Sequence, residues 1–290
     1  MSRTRTGEFE IGFRRLNGGW QADLASTIAF AKANHFASIE TRPDPGELRR
    51  ITDAGLKLGA VDFPEFGKRL ISADKARRDQ AVAEDSQILR DGMQAGANVF
   101  FTVMLPDDPT LARKDNFGYM VESFTALAKV LEEGGAKLVI EGWPGAGSLV
   151  CTPETYRAFF DAVESPTMGV NYDPSHLIRM GIDPIRFLRE FADRVYHVHG
   201  KDACIDKEGL YQFGHEIEPT FATSPGWGTP VWRYTIPGHG QTRWAEVLRI
   251  LKGDAYTGMV SIELEDANFN GSEEGEKRGF IESQEFLAGC

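Results

Sequence analysis

Short apolar runs and longer stretches of helical periodicity take turns along this chain, the pattern expected of repeated βα units. Eight strand-like runs stand out. Four lie in the first part: 9–16 (FEIGFRRL), 36–42 (FASIETR), 59–65 (GAVDFPE) and 98–105 (NVFFTVML). Four follow: 137–143 (KLVIEGW), 167–173 (TMGVNYD), 195–201 (VYHVHGK) and 258–265 (GMVSIELE). Each precedes a helical stretch. In CTPETYRAFFDAV, Thr152 is placed to cap, Pro153 suits the first helical position, and Tyr156, Phe159, Phe160 and Val163 line one face. GIDPIRFLREFADRV repeats the arrangement, with Asp183 as cap, Pro184 at the start, and Ile185, Leu188, Phe191 and Val195 as the buried stripe.

Eight such units in 290 residues without a break in composition predict an α/β fold, a single-domain (β/α)8 TIM barrel over 1–290. No G-x-G-x-x-G follows the first strand, which weakens a dinucleotide-binding reading. One connection is anomalous. Residues 204–242 are rich in Gly, Pro and aromatics, far longer than the roughly 2–6 residues of an ordinary βα loop, and predict a lid or binding loop after strand seven. Its aromatic residues Tyr211, Phe213, Phe221, Trp227 and Trp232 argue against a disordered insertion.

Charge and cysteine usage narrow the function. A formal net charge of −11 disfavours nucleic acid and anionic membrane as partners and favours a small molecule. Cys151, Cys204 and Cys290 are dispersed, which suggests neither a disulfide scaffold nor a zinc ribbon and fits a reducing cytoplasm. No apolar run approaches ~20 residues, and the first residues lack the apolar block of a secretory signal, so a soluble cytoplasmic protein is expected. A homo-oligomer is compatible with all of this.

Candidate chemistry comes from strand parity. In a barrel the C-terminal strand ends face a common mouth, and alternate side chains point inward. On strand seven that parity selects His197, His199 and Lys201; on strand eight it selects Ser261, Glu263 and Glu265. Strand five ends at Glu141 and strand six at Asp173. Four neighbouring strands thus bring Glu141, Asp173, His199 and Glu263 to one rim. Three carboxylates so gathered repel one another unless a cation neutralises them. A divalent metal is the economical answer, and the oxygen-rich donor set points to Mn²⁺ first, then Mg²⁺ or Co²⁺, with Zn²⁺ or Fe compatible. His176, in DPSH, is placed to orient a ligand or bond a substrate hydroxyl. His197 lies deeper and reads as an interior histidine. Lys201 either supplies positive charge near a developing oxyanion or pairs with Asp202. Glu40 on strand two is a weaker substrate-binding candidate, and Trp143, Trp227, Trp232 and Tyr234 are placed either to stack on a ligand or to pack the core. Glu265 and Asp266 read as substrate-facing or as solvated charges.

The segments NYDPSH, HVHGKD, IPGHGQTRW and VSIELED resemble the xylose-isomerase-like barrel superfamily of sugar isomerases and epimerases. The resemblance spans nearly the whole chain. It implies metal ligation by Glu141, Asp173, His199 and Glu263, with His176 beside the substrate and the two glutamates doubling as acid and base. It also implies a divalent-metal-dependent isomerase or epimerase acting on a keto-sugar or related polyol through a stabilised enediolate. The alternative is a lyase or dehydratase of inosose-dehydratase or C-glycoside-cleaving type, since EGWPG after Glu141 and HGKD after His197–Val198 depart from the ketose 3-epimerase pattern. Arg243 departs from it too. A non-catalytic sugar-binding barrel is a further class. An endonuclease IV-like nuclease is disfavoured, because only six His are present and His35, His215 and His239 fall outside the strand ends.

Overall fold

Helix starts follow the caps that the sequence supplies. Thr152 and Thr155 form a reciprocal capping box, and Asp183 accepts from the N–H groups of Ile185 and Arg186 ahead of Pro184. Both satisfy donors that a helix cannot satisfy for itself. The computed structural model describes residues 1–290.

The elements run β1 (Ile11–Arg14), α1 (Leu24–Ala33), β2 (Ser38–Thr41), α2 (Pro45–Asp53), β3 (Lys57–Asp62), α3 (Lys75–Gln94) and β4 (Val99–Val103). Next come α4 (Arg113–Gly134), β5 (Lys137–Glu141), α5 (Pro153–Ala162), β6 (Met168–Tyr172), α6 (Pro174–Arg179), α7 (Pro184–Phe191) and β7 (Val195–Gly200). The chain ends with β8 (Asp202–Ile205), α8 (Lys207–Phe213), β9 (Trp232–Thr235), α9 (Trp244–Gly253), β10 (Val260–Ile262) and α10 (Glu273–Gly289). All eight expected strands form, most of them trimmed at both ends. They close into a parallel barrel in the order β1-β10-β7-β6-β5-β4-β3-β2. Val195 opens β7 instead of completing the helical stripe, and Phe160 is only half-buried, whereas Tyr156, Phe159, Ile185, Leu188 and Phe191 pack inside as expected.

Two compact units contribute to the barrel. The first comprises Met1–Ile39, Asp173–Ala192 and Val198–Cys290. In it β10 pairs with β1 on one side, Ser261 opposite Gly12, and with β7 on the other, Ser261 opposite His199. The second comprises Glu40–Tyr172 and Asp193–His197. It holds β3 to β6 in continuous register, with Val103 opposite Glu141 and Glu141 opposite Asn171.

The long connection after β7 is structured. β8 and β9 form an antiparallel ribbon, Asp202 opposite Thr235 and Ile205 opposite Trp232, and α8 fills part of the span between them. Its inner face is apolar: Ala203, Tyr234 and Ile178 form a buried cluster with Ile205 and Trp232 packed against it. Two strands of four residues, the first separated from β7 by Lys201 alone, are too short to show a period of their own. The tip is exposed at Tyr211, Ile217 and Phe221.

Candidate active site

Asp173 sets the geometry of the first unit's site. It follows β6 and caps α6, where its Oδ1 accepts from Ser175 N at 2.8 Å and Ser175 Oγ at 2.6 Å. Capping fixes the carboxylate and turns Oδ2 the other way, into the interior, where that oxygen accepts no hydrogen bond of good geometry. His176 Nε2 stands 3.3 Å and Lys201 Nζ 3.1 Å from it. Pro174 at the first helical position lets the helix begin immediately after β6 and carries His176 back toward Asp173.

Glu263 comes off the end of β10, with Oε1 3.1 Å from Arg14 Nε at the end of β1. Its Oε2 takes a short bond from Lys201 Nζ and lies 3.5 Å from His199 Nδ1. Lys201 Nζ also donates to Glu265 Oε2 at 3.0 Å. The ammonium has three protons, and three carboxylates, those of Asp173, Glu263 and Glu265, surround it. Lys201 is 1% exposed and its Nζ lies 4.6 Å over the Tyr234 ring. The predicted pair Lys201–Asp202 does not form. Asp202 is turned away, accepting from the N–H groups of Ala203, Gly238 and Thr242 and from Thr242 Oγ1. Neither are Glu265 and Asp266 solvated charges: Glu265 faces Lys201, and fully buried Asp266 accepts from Ile236 N at 3.1 Å.

The two glutamates of this nest are pushed in opposite directions. Burial raises the Glu263 carboxyl, but Lys201, His199 and Arg14 together outweigh it and hold the group well below the usual carboxylate range. Burial also raises Glu265, Lys201 opposes it, and the neighbouring Glu263 charge adds to the rise, leaving Glu265 above its ordinary value.

The ribbon delivers a further group. Tyr234 Oη lies 2.7 Å from His176 Nδ1 and accepts from Arg179 Nη1 at 2.6 Å. With Arg179 donating, the phenol proton is directed at Nδ1, which orients the imidazole with Nε2 toward Asp173. Burial pushes the Tyr234 phenol up despite Lys201 and Arg179, so it acts as a neutral hydrogen-bonding group. Trp232 is covered by the Arg179 guanidinium at 4.1 Å. Trp227 is partly exposed and lines a cleft of about 660 Å³ with Leu16, Gln21, Asn270 and Glu276.

In the second unit, Glu141 at the end of β5 is buried, its Oε2 accepting from Asn171 Nδ2 at 2.7 Å across the strand pair. Glu40 and His197 meet at 2.6 Å with neither accessible, so His197 is an interior histidine as parity and depth predict. Glu40 is thereby engaged by protein. Its side chain requires the bare Gly59 opposite, where an added Cβ would come within 2.5 Å of Glu40 Cγ. Trp143 is half-buried and packs against Ala60, Phe101, Val103 and Val139.

Of the residues singled out by strand parity and motif, the structure places Asp173, His176, His199, Lys201 and Glu263 beside one another, and adds Arg14 and Arg179, which no sequence signal marked; Asn171, likewise unmarked, lies beside Glu141. Their roles depend on which strands and loops become neighbours, which no local pattern encodes. Asp173, His176 and Glu263 present ligand atoms within 4.8 Å of one another, and buried groupings of this His, Asp and Glu type are consistent with a divalent metal site.

Residues 28–290 match the family described as xylose isomerase-like TIM barrel. The uncharacterized protein YfiH of Bacillus subtilis is 33% identical over 242 residues, 77% of this chain and 68% of its own. The inosose dehydratase of Clostridium tetani is 27% identical over 146 residues, 50% of this chain and 46% of its own. The chain thus spans about half the length of the inosose dehydratases it matches. Among solved structures, the D-psicose 3-epimerase of Clostridium cellulolyticum H10 with D-tagatose superposes with a TM-score of 0.70 at 17% identity, over 97% of this chain and 100% of that one. The IOLI protein with a bound zinc atom gives a TM-score of 0.69 at 16% identity, over 96% and 98%. At those identities the structural likeness speaks for the fold alone. No helix is long and apolar enough to cross a membrane.

Proposed function

Since the chain belongs to the xylose isomerase-like TIM barrel family, we propose that it is a divalent-metal-dependent isomerase or epimerase of a keto-sugar or related polyol. The observation that carries this reading is the convergence of Asp173, His176 and Glu263, all buried, at the strand ends of a closed parallel barrel. Asp173, Glu263, His199 and Glu141 would hold the metal. The donor chemistry supports this at Asp173 and Glu263: Asp173 Oδ2 is buried, faces Lys201 Nζ and His176 Nε2 without a well-aligned hydrogen bond, and the oxygen-rich surroundings suit Mn²⁺ or a similar hard cation, while His199 Nδ1 stands 3.5 Å from Glu263 and falls outside the grouping of Asp173, His176 and Glu263. Bound there, a dication would stabilise negative charge developing on a substrate oxygen.

The chain's own residues supply the rest. Glu263, held anionic by its cationic neighbours, takes the proton from the carbon next to the substrate carbonyl. Glu263 gives that proton back to the neighbouring carbon, or Glu141, where it enters the cycle protonated, delivers one and is re-protonated from solvent as Glu263 is relieved of its own. His176, its ring fixed by Tyr234, directs Nε2 to a substrate hydroxyl, and Lys201 adds positive charge beside the developing oxyanion. The ribbon after β7, carrying Tyr234, covers the mouth.

A dehydratase outcome is the second reading, favoured by the match to inosose dehydratase. It shares the proton abstraction and differs in expelling a neighbouring hydroxyl as water. Incubating the metal-loaded protein with keto-sugars and inososes in D₂O separates the readings by mass and NMR. An isomerase or epimerase incorporates deuterium at the carbon beside the carbonyl and keeps the substrate's composition, whereas a dehydratase yields a product lighter by one water. Absence of both with every compound counts against enolisation chemistry altogether.

A further inference from the structure

We propose that Lys201 is a tethered counter-cation that claims the same carboxylate oxygens as the metal, so that metal entry requires the ammonium to step aside. The inference rests on the metal-site reading above and adds how that site is held and filled. Lys201 Nζ contacts Asp173 Oδ2 at 3.1 Å and, more closely, Glu263 Oε2. These oxygens belong to two of the residues assigned to the metal. A hydrated dication and an ammonium cannot both sit against them, because like charges a few ångströms apart in a buried setting repel strongly.

The surroundings provide the position to which the ammonium retreats. Glu265 Oε2, at 3.0 Å from Nζ, belongs to a residue not assigned to the metal, and the Tyr234 ring face lies at 4.6 Å. Moving toward these two keeps Lys201 paired with a carboxylate and an aromatic face while it releases Asp173 and Glu263. A side chain with four rotatable carbons makes this shift without moving β7 or β8. Arg14 keeps its own hold on Glu263 Oε1 throughout, so the glutamate stays in place during the exchange. Two consequences follow. Without metal, the ammonium holds two buried carboxylates and the partly exposed Glu265 together; with metal, its displacement costs affinity, since only the fraction of molecules with Lys201 withdrawn is competent to bind.

The test is Lys201→Met, which keeps an unbranched stem of nearly the same reach and removes the ammonium. Mn²⁺ is titrated by calorimetry into chelator-stripped, desalted wild-type and variant protein, and melting is followed with and without Mn²⁺. The expected result is that the variant binds Mn²⁺ at least about tenfold tighter. It should also melt lower than wild type when stripped and gain more on loading. Should the stripped variant fail to fold, it is purified with Mn²⁺ and the rate of Mn²⁺ loss to excess chelator is measured; slower loss than wild type supports the proposal. Equal or weaker binding, or faster loss, overturns it while leaving the metal site intact. A wild-type protein that takes up no divalent ion overturns the metal site itself, and this proposal with it.

Discussion

Two knots of charge in this protein have the same stoichiometry, one cation among three carboxylates, and behave as opposites. Beside the middle of α3, Arg69 from the segment before that helix meets Glu84, Asp85 at 2.8 Å and Glu65 at 3.7 Å. At the barrel's strand ends, Lys201 meets Glu263, Glu265 and Asp173. The Arg69 side chain is 24% exposed, and Glu65 and Glu84 are 59% and 44% exposed, so water shares the burden and only Asp85 is sequestered. Lys201 has no such relief. A guanidinium offers a rigid planar fork that ties elements together, whereas an ammonium is a movable point charge. Composition of a cluster therefore says little about its role. Depth, and the convergence of separate strand ends, separates a site from a structural tie.

The sharpest way to break that contrast is Glu263→Gln. If Glu263 abstracts the proton as proposed, its loss should lower turnover by about a thousandfold, read as initial rates on whichever substrate the D₂O screen identifies. Turnover within tenfold of wild type would make the strand-end cluster as structural as the outer one. A smaller effect is expected from Tyr234→Phe, which removes the hydroxyl between His176 Nδ1 and Arg179 and keeps the ring. An outer partner of this kind typically contributes about tenfold to activity. The expected signature is a drop in kcat with little change in melting temperature; a fall in stability with kcat intact would reassign Tyr234 to packing.

The gentlest test lies in the outer knot. Burial pushes Asp85 up to about 6, with Arg69 opposing and Glu84 and Glu65 adding to the rise. The folded state therefore holds this proton more tightly than the unfolded chain, whose value is near 3.8. Stability from Asp85 is complete below about pH 4 and is lost as pH rises through about 6. Asp85→Asn should remove that slope from a melting-temperature series across this window without touching turnover. An unchanged slope would mean that Arg69 offsets the burial of Asp85, whereas a slope of opposite sign would make Asp85 resemble Glu263.

Much of this arrangement is legible in the sequence because its signals are periodic. Parity on strands of five or six residues placed His197, His199 and Lys201 inward, and Thr152–Pro153 and Asp183–Pro184 marked their helix starts. Partner choice was not legible. Lys201 and Asp202 are chain neighbours of opposite charge, yet their side chains face opposite ways at the junction of β7 and β8, so each finds partners brought in from other segments. Arg14 escaped notice for a related reason: its tie to Glu263 exists only because β1 and β10, at opposite ends of the chain, lie side by side. The β8–β9 ribbon was hidden by brevity and by the 26 residues from 206 to 231 that part its strands.

Asp202 has a consequence for how such a barrel diversifies. Its two oxygens fasten both ends of the excursion after β7, gripping Ala203 on the way out and Gly238 and Thr242 on the way back. The return is so close that a methyl group on Gly240 would collide with the carboxylate at 2.2 Å. A clasp of this kind insulates the end of β7 from whatever is strung between its ends. The outer span can then lengthen, shrink or be exchanged like a cassette, letting inheritance try new segments there while the side chains at the end of β7 stay in register.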